Sequence, residues 1–198
     1  KSIPLSALDK YGKTIQKCQK VLKEYPESEL RINAILLMGK ARYYRREYDD
    51  ALMDLRIVNE KGDDEQIDEA QYWAALCKWK KGTIQPAIDE LTLLIKNTDI
   101  QYLQAMCHLS LAEIAEELKD EESILYHLEI GADLMRDRAQ RGVIYGKLAE
   151  FAFQNENYEV AITTYNKVIK NSLSKEKVEE SHLQVLRILR MQGNYRAA

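Results

Sequence analysis

The most constraining feature of this sequence is a small residue that recurs at a nearly constant interval. Six such residues follow one another at intervals of 37, 36, 36, 38 and 37 positions: Thr14, Ala51, Ala87, Ser123, Ala161 and Ala198. In the clearest copies the small residue lies three positions after a tyrosine, as in Tyr48-Asp-Asp-Ala51 and Tyr158-Glu-Val-Ala161. A fixed period of this length is typical of a chain built from stacked copies of one supersecondary unit.

Each period also holds an earlier amphipathic segment, so the repeating unit is predicted to be a helical hairpin. The earlier helices are expected at residues 31–45, 67–80, 100–118, 141–154 and 177–191. Apolar residues spaced three and four apart give every helix one stripe to bury, and a single hairpin cannot bury both of its stripes. Stacked hairpins can, which predicts an all-α, right-handed αα-superhelix (solenoid) of about ten helices.

We expect one solenoid segment over residues 1–198, belonging to a longer protein. Its repeat units are predicted at residues 1–27, 28–63, 64–99, 100–137 and 138–174, with an incomplete unit at 175–198. The composition agrees, because eight glycines and three prolines in 198 residues are too few for a many-stranded sheet. No run approaches the roughly 18 consecutive apolar residues of a spanning helix, so no membrane span is expected in this segment.

The first complete unit resembles the tetratricopeptide repeat (TPR) family. The junction Tyr25-Pro-Glu-Ser28 precedes its first helix, Met38-Gly39 stands where the family has a Leu-Gly-like pair, and Tyr48-Asp-Asp-Ala51 opens its second helix. The resemblance implies a non-catalytic protein-protein interaction scaffold. It also implies that the partner, another protein in the form of an extended peptide or a helix, binds in a groove lined mainly by first helices.

The same junction, followed by Leu36-Leu-Met-Gly-Lys-Ala-Arg-Tyr-Tyr44, is similar to TPR lipoproteins of bacterial outer-membrane assembly and secretion machines. That narrower resemblance implies a place at the periplasmic face of the outer membrane, with a lipid anchor upstream of Lys1. Two alternatives stay open. One is a cytoplasmic TPR adaptor or regulator that binds a peptide segment, and the other is the docking module of an enzyme whose catalytic domain lies outside this segment.

Carrying the family's groove pattern onto this sequence gives ten candidate partner-binding residues. They are Asn33, Lys40, Tyr43, Tyr72, Trp79, Glu113, Glu116, Glu150, Phe153 and Arg187. Aromatic side chains are common anchors at interfaces, and the glutamates could steer a basic segment towards the groove. An equal alternative is that Tyr43, Tyr72 and Trp79 pack between hairpins instead of facing a partner.

No catalytic, cofactor-binding or metal-binding pattern is recognised, so no enzyme activity is expected. The three histidines, His108, His127 and His182, are expected in three different hairpins, without the spacing that places two ligands on one helix face. The three cysteines lack CxxC spacing and lie in apolar helical patterns, which predicts buried free thiols. Residues 61–130 carry 6 basic and 15 acidic side chains, which opposes nucleic-acid binding.

Overall fold

The computed structural model describes residues 5–193, apart from the side chains of Leu5 and Ala7. These residues form ten α-helices and no strand, which confirms the predicted all-α fold. The helices are α1 (Leu5–Glu24), α2 (Arg31–Tyr44), α3 (Tyr48–Lys61), α4 (Asp64–Lys80), α5 (Ile84–Asn97), α6 (Gln101–Leu118), α7 (Glu121–Leu134), α8 (Arg138–Gln154), α9 (Tyr158–Asn171) and α10 (Lys175–Met191). The last predicted small residue, Ala198, lies outside the described residues.

Each first helix ends in the same kind of turn, which reverses the chain into the second helix. A residue with positive φ follows α2, α4, α6, α8 and α10: Arg46, Gly82, Lys119, Glu156 and Gly193. After α2, α4, α6 and α8 the turn leads into a described second helix, whereas the residues after Gly193 lie outside the described part of the chain. Glycine adopts this left-handed conformation without penalty, whereas the other three residues carry a cost of roughly 1–2 kcal/mol each. The recurrence of the turn explains why the period stays near 37 residues although the turn sequences differ.

Three first helices begin two or three residues earlier than the spacing of apolar residues predicts. A polar side chain caps each of them, and Asp63 accepts a hydrogen bond from the backbone N–H of Gln66 at 2.9 Å. Asp137 and Ser174 cap α8 and α10 in the same way. The cap satisfies backbone donors that would otherwise be unpaired, so the helix extends beyond its first buried residue.

The chain divides into two compact units, Lys1–Leu103 and Gln104–Ala198. In the N-terminal unit, α1 and α2 pack through a small cluster that contains Cys18 and Met38. In the C-terminal unit, α6, α7, α8 and α9 share one apolar cluster, and α8, α9 and α10 share a second. Both units are therefore built from hairpins that bury their apolar stripes against the next hairpin.

Small residues lie where helices approach closely. A Cβ added to Gly39 of α2 would lie 3.0 Å from Cδ2 of Leu55 in α3, closer than real Cβ contacts normally allow. Ala51 and Ala161, the small residues that open α3 and α9, are both fully buried. The buried small residues Ala51 and Ala161 therefore lie at positions where a larger side chain would have to displace its neighbours.

Two expectations about individual side chains have different outcomes. The prediction of buried free thiols is confirmed at all three cysteines. The prediction that the histidines lie in three different hairpins is wrong, because His108 and His127 belong to α6 and α7 of one hairpin and their Nδ1 atoms lie 2.9 Å apart. Among the described helices, none is both long and apolar enough to cross a membrane.

Candidate partner-binding surfaces

The N-terminal unit carries an aromatic cluster on α1, α2, α3 and α4. Its members are Tyr11, Tyr43, Tyr44, Tyr48, Tyr72 and Trp73. The ring of Trp73 lies at its centre, 5.2 Å from the ring of Tyr43 and 5.6 Å from that of Tyr44 between centroids. The sequence pattern does not assign Trp73 to a groove, although it assigns the neighbouring residues Tyr43 and Tyr72.

Polar side chains beside the aromatic cluster bind one another across α2 and α4. Lys40 forms an ion pair with Glu69 at 2.5 Å and also lies 5.7 Å from the centroid of the Trp73 ring. Asn33 accepts a hydrogen bond at 2.9 Å from the amide of Gln66. The two polar groove residues predicted on α2, Asn33 and Lys40, are therefore already engaged within the protein.

The predicted aromatic anchors of the N-terminal unit are mostly covered. Tyr72 is 4% exposed and Trp79 is 5% exposed, so these two rings are packed inside the protein. Tyr43 is half-buried, whereas its neighbour Tyr44 is 40% exposed. The structure thus matches the packing interpretation for Tyr72 and Trp79.

Two of the three predicted glutamates lie on α6. Glu113 and Glu116 are both exposed, and Glu116 forms an ion pair with Lys147 of α8 at 2.6 Å. Glu113 keeps its carboxylate in solvent. These two residues belong to the C-terminal unit, whereas the aromatic cluster belongs to the N-terminal unit.

The C-terminal unit contains an open groove with a volume of about 720 Å³, and we call it the C-terminal groove. The first helices α8 and α10 form its walls, while α9 and the turn before α10 contribute to its floor. Two of the ten predicted residues, Glu150 and Phe153, line it. Arg187 lies beside it, with Cζ 5.2 Å from the centroid of the Phe153 ring.

Two glycines on α8 line the C-terminal groove for different reasons. A Cβ at Gly142 would lie 3.1 Å from Cα of Ser172, so this glycine lets the turn before α10 approach α8. A Cβ at Gly146 would meet no atom within 4 Å. Packing within the protein therefore does not require glycine at position 146, and its effect is to leave the groove open.

The charges in the C-terminal groove are mostly paired. Lys177 pairs with Glu180 at 2.8 Å, and Lys147 pairs with Glu116 of α6. Across the part of the chain that the structure describes, Glu150 forms no ion pair. Its carboxylate is exposed on the groove face of α8.

Two polar side chains, Gln184 and Tyr165, line the C-terminal groove. The side-chain oxygen Oε1 of Gln184 is buried and accepts no hydrogen bond. Burial, followed by the charges of Glu150 and Glu180, raises the pKa of the Tyr165 hydroxyl. Gln184 and Tyr165 were not predicted as site residues; the nearest sequence signal was the pair of glycines one helical turn apart on α8.

Metal-ligating side chains do not converge in the described residues: no group of three histidine, cysteine, aspartate or glutamate side chains is placed to hold an ion. The His108 and His127 pair has no third ligand of this kind beside it.

Comparison with known proteins identifies the fold. No protein-family model and no curated protein matches the chain. The crystal structure of BtubC (BKLC) from P. vanneervenii superposes with a TM-score of 0.64 at 11% identity, covering 96% of this chain and 85% of BtubC. The crystal structure of MamA gives a TM-score of 0.58 at 18% identity, covering 87% of this chain and 91% of MamA. Both contain TPR repeats, and this chain has the same all-α fold of TPR-like helical hairpins.

Proposed function

We propose that this chain is a non-catalytic protein-interaction scaffold that binds a segment of another protein in the C-terminal groove. The observation that carries the proposal is the open volume of about 720 Å³ between two first helices. Glu150 and Phe153, which the TPR resemblance assigns to a partner groove, line it. A groove with an aromatic wall and few unpaired charges suits an extended peptide or a helix.

The C-terminal groove is a better candidate than the aromatic cluster of the N-terminal unit. The ring of Trp73 contacts several neighbouring rings, and Lys40 and Glu69 neutralise each other beside it. A partner there would have to break existing contacts before it formed new ones. The C-terminal groove offers open space and an unpaired carboxylate without such a cost.

For the cellular context we propose a bacterial envelope assembly or secretion complex at the periplasmic face of the outer membrane. The support is the resemblance of Tyr25-Pro-Glu-Ser28 and the following helix to TPR lipoproteins of such machines. A cytoplasmic adaptor and an enzyme's docking module are the alternatives. Fractionation of the native protein, with sequencing of its mature N-terminus, separates them: a lipidated cysteine supports the envelope, and a cytosolic protein without one contradicts it.

The binding proposal is tested by purifying the protein from native membranes with its partners and identifying them by mass spectrometry. Gly146→Leu fills the groove from a position with open space around it and should abolish capture of a specific partner. Gln140→Leu places the same side chain at an exposed position of α8 outside the groove and should keep it. Equal capture by both variants would contradict binding in the C-terminal groove.

A further inference from the structure

The C-terminal groove contains one carboxylate, that of Glu150, which forms no ion pair with the described residues. Four charged side chains line it: Lys147, Glu150, Lys177 and Glu180. Both lysines are engaged in ion pairs, and Glu180 is the partner of Lys177. Among the described residues, Glu150 has no such partner. Its charge acts on Lys177 without an ion pair, because Lys177 is paired with Glu180. A ligand that brings a positive charge into contact with Glu150 therefore adds an ion pair without breaking one.

The surroundings of Glu150 also favour a hydrogen-bond donor. Oε1 of Gln184 is a buried acceptor without a donor. Burying an acceptor without a hydrogen bond costs free energy, and a donor on the ligand could recover part of it. Glu180 adds a second carboxylate near the buried hydroxyl of Tyr165. The buried Oε1 of Gln184 is therefore an acceptor that a donor on a ligand could satisfy.

Arg187 shows how a cation is accommodated at the edge of this site. Its guanidinium lies over the ring of Phe153 rather than in an ion pair with Glu150. The protein's own cation thus leaves the carboxylate of Glu150 open to a ligand.

The spacing of Gly146 and Glu150 suits a long basic side chain. Residues four apart lie on the same face of a helix, about 6 Å apart along its axis. The open surface at Gly146 can accept the aliphatic stem of a lysine or arginine, while the charged end reaches the carboxylate one turn further. The open surface at Gly146 and the carboxylate of Glu150 together therefore fit a lysine or arginine side chain.

We propose that the C-terminal groove selects a protein segment in which a lysine or arginine lies across Gly146 and pairs with Glu150. The inference rests on the proposed function, since it names the partner chemistry of the same groove. The rest of the segment is uncharged or apolar, because the remaining groove charges are already paired within the protein.

The test uses a phage-displayed library of random 12-residue peptides selected on the full chain. Selections on Glu150→Gln and on Glu159→Gln, an exposed glutamate of α9 outside the groove, run in parallel. We expect the unsubstituted chain and Glu159→Gln to enrich one lysine or arginine at a fixed position. A synthetic selected peptide should bind Glu150→Gln about tenfold more weakly, and replacing its basic residue by glutamine should remove that difference.

Gly146→Leu distinguishes failure of the inference from failure of the proposed function. Selected peptides that Gly146→Leu blocks, but that lack a basic residue and bind Glu150→Gln equally well, would overturn the inference while leaving the groove as the binding site. If no selected peptide is blocked by Gly146→Leu, the binding site lies elsewhere and both proposals fall.

Discussion

The Nδ1 atoms of His108 and His127 lie 2.9 Å apart, so one imidazole donates a hydrogen bond to the other between α6 and α7. His108 is 6% exposed, and burial together with the nearby His127 lowers its pKa to about 4. Burial also lowers the pKa of His127, which the charge of Asp120 partly offsets. A proton added to the accepting Nδ1 removes this hydrogen bond, and a proton added to Nε2 of the donating imidazole keeps it, but either one places a charge in a buried position.

This arrangement predicts that acid destabilises the fold through His108. The unfolded imidazole takes up a proton below its ordinary pKa of 6.5, whereas the folded one does so near pH 4. The contribution of His108 to the free energy of unfolding is therefore complete above pH 6.5 and falls by roughly 3 kcal/mol as the pH is lowered to 4.

Urea unfolding at pH 7 and pH 4 measures this loss of stability. The loss should be smaller for His108→Asn than for the unsubstituted chain, and His182→Asn, a control at an exposed site, should lose as much as the unsubstituted chain. Equal losses in all three proteins would contradict this prediction.

Asp54 should respond to pH in the opposite direction. It is 5% exposed and pairs with Arg42 at 2.7 Å, but its Oδ2 has no hydrogen-bond partner, and burial raises the pKa of the carboxyl from 3.8 to about 6. The folded protein therefore takes up a proton that the unfolded chain lacks between pH 4 and pH 6. Its contribution is present below pH 4 and is lost, by as much as roughly 3 kcal/mol, as the pH rises to 6.

The variant Asp54→Asn isolates this effect. In a His108→Asn background, urea unfolding at pH 4 and pH 6 should show that the parent loses more stability on raising the pH than the Asp54→Asn variant does. A parallel change in both proteins would mean that the carboxyl of Asp54 ionises normally in the folded state.

Overpacking should destabilise the hairpins at their small residues. Ala161 is fully buried in a cluster with Ala149 and Ala152, so Ala161→Leu should cost roughly 1–3 kcal/mol and lower the melting temperature. Thr163→Leu adds an apolar side chain at an exposed position of the same helix and should leave the melting temperature nearly unchanged. Thermal unfolding followed by circular dichroism compares them, and an unchanged Ala161→Leu would invalidate the assigned repeat register.

The two glycines of α8 should respond oppositely to alanine. Gly146→Ala places its methyl group in open space and should stabilise the helix by about 1 kcal/mol, because glycine has a low helix propensity. Gly142→Ala should destabilise the fold, since its Cβ would press on the backbone of Ser172 and Asn171. Urea unfolding of the two single variants tests the difference. Stabilisation by both would contradict this prediction, because it would mean that the turn at Asn171 and Ser172 shifts to accommodate the added methyl group.

The hairpins were predictable because their signal is local. The interval from Ala51 to Ala87 and the spacing of apolar residues both arise from helices of similar length packed in the same way. Helix starts were predicted less well, since the carboxylates of Asp63 and Asp137 extend helices beyond their buried stripe. The period of the apolar residues indicates which face of a helix is buried. A capping residue is polar and does not follow this period, so the period does not locate the start of the helix.

The candidate site was predictable only in part. The resemblance to TPR proteins assigns Glu150 and Phe153 to a partner groove, and both line the C-terminal groove; that they bind a partner stays a prediction. The same pattern assigned Trp79 to a groove, but packing between helices leaves it 5% exposed. The unpaired state of Glu150 depends on Lys147 pairing with Glu116 of α6, a contact between helices that no spacing within α8 indicates.

The most direct test of binding in the C-terminal groove is a ¹H–¹⁵N NMR titration of the full chain with a library-selected peptide or an identified partner segment. We expect the largest amide shift changes at Val143, Gly146 and Ser181, which line the groove on α8 and α10. The same titration of Gly146→Leu should show no change at Val143 or Ser181. Changes confined to α2 and α4, with Gly146 and Ser181 unmoved, would contradict the assignment and place the interface on the aromatic cluster of the N-terminal unit.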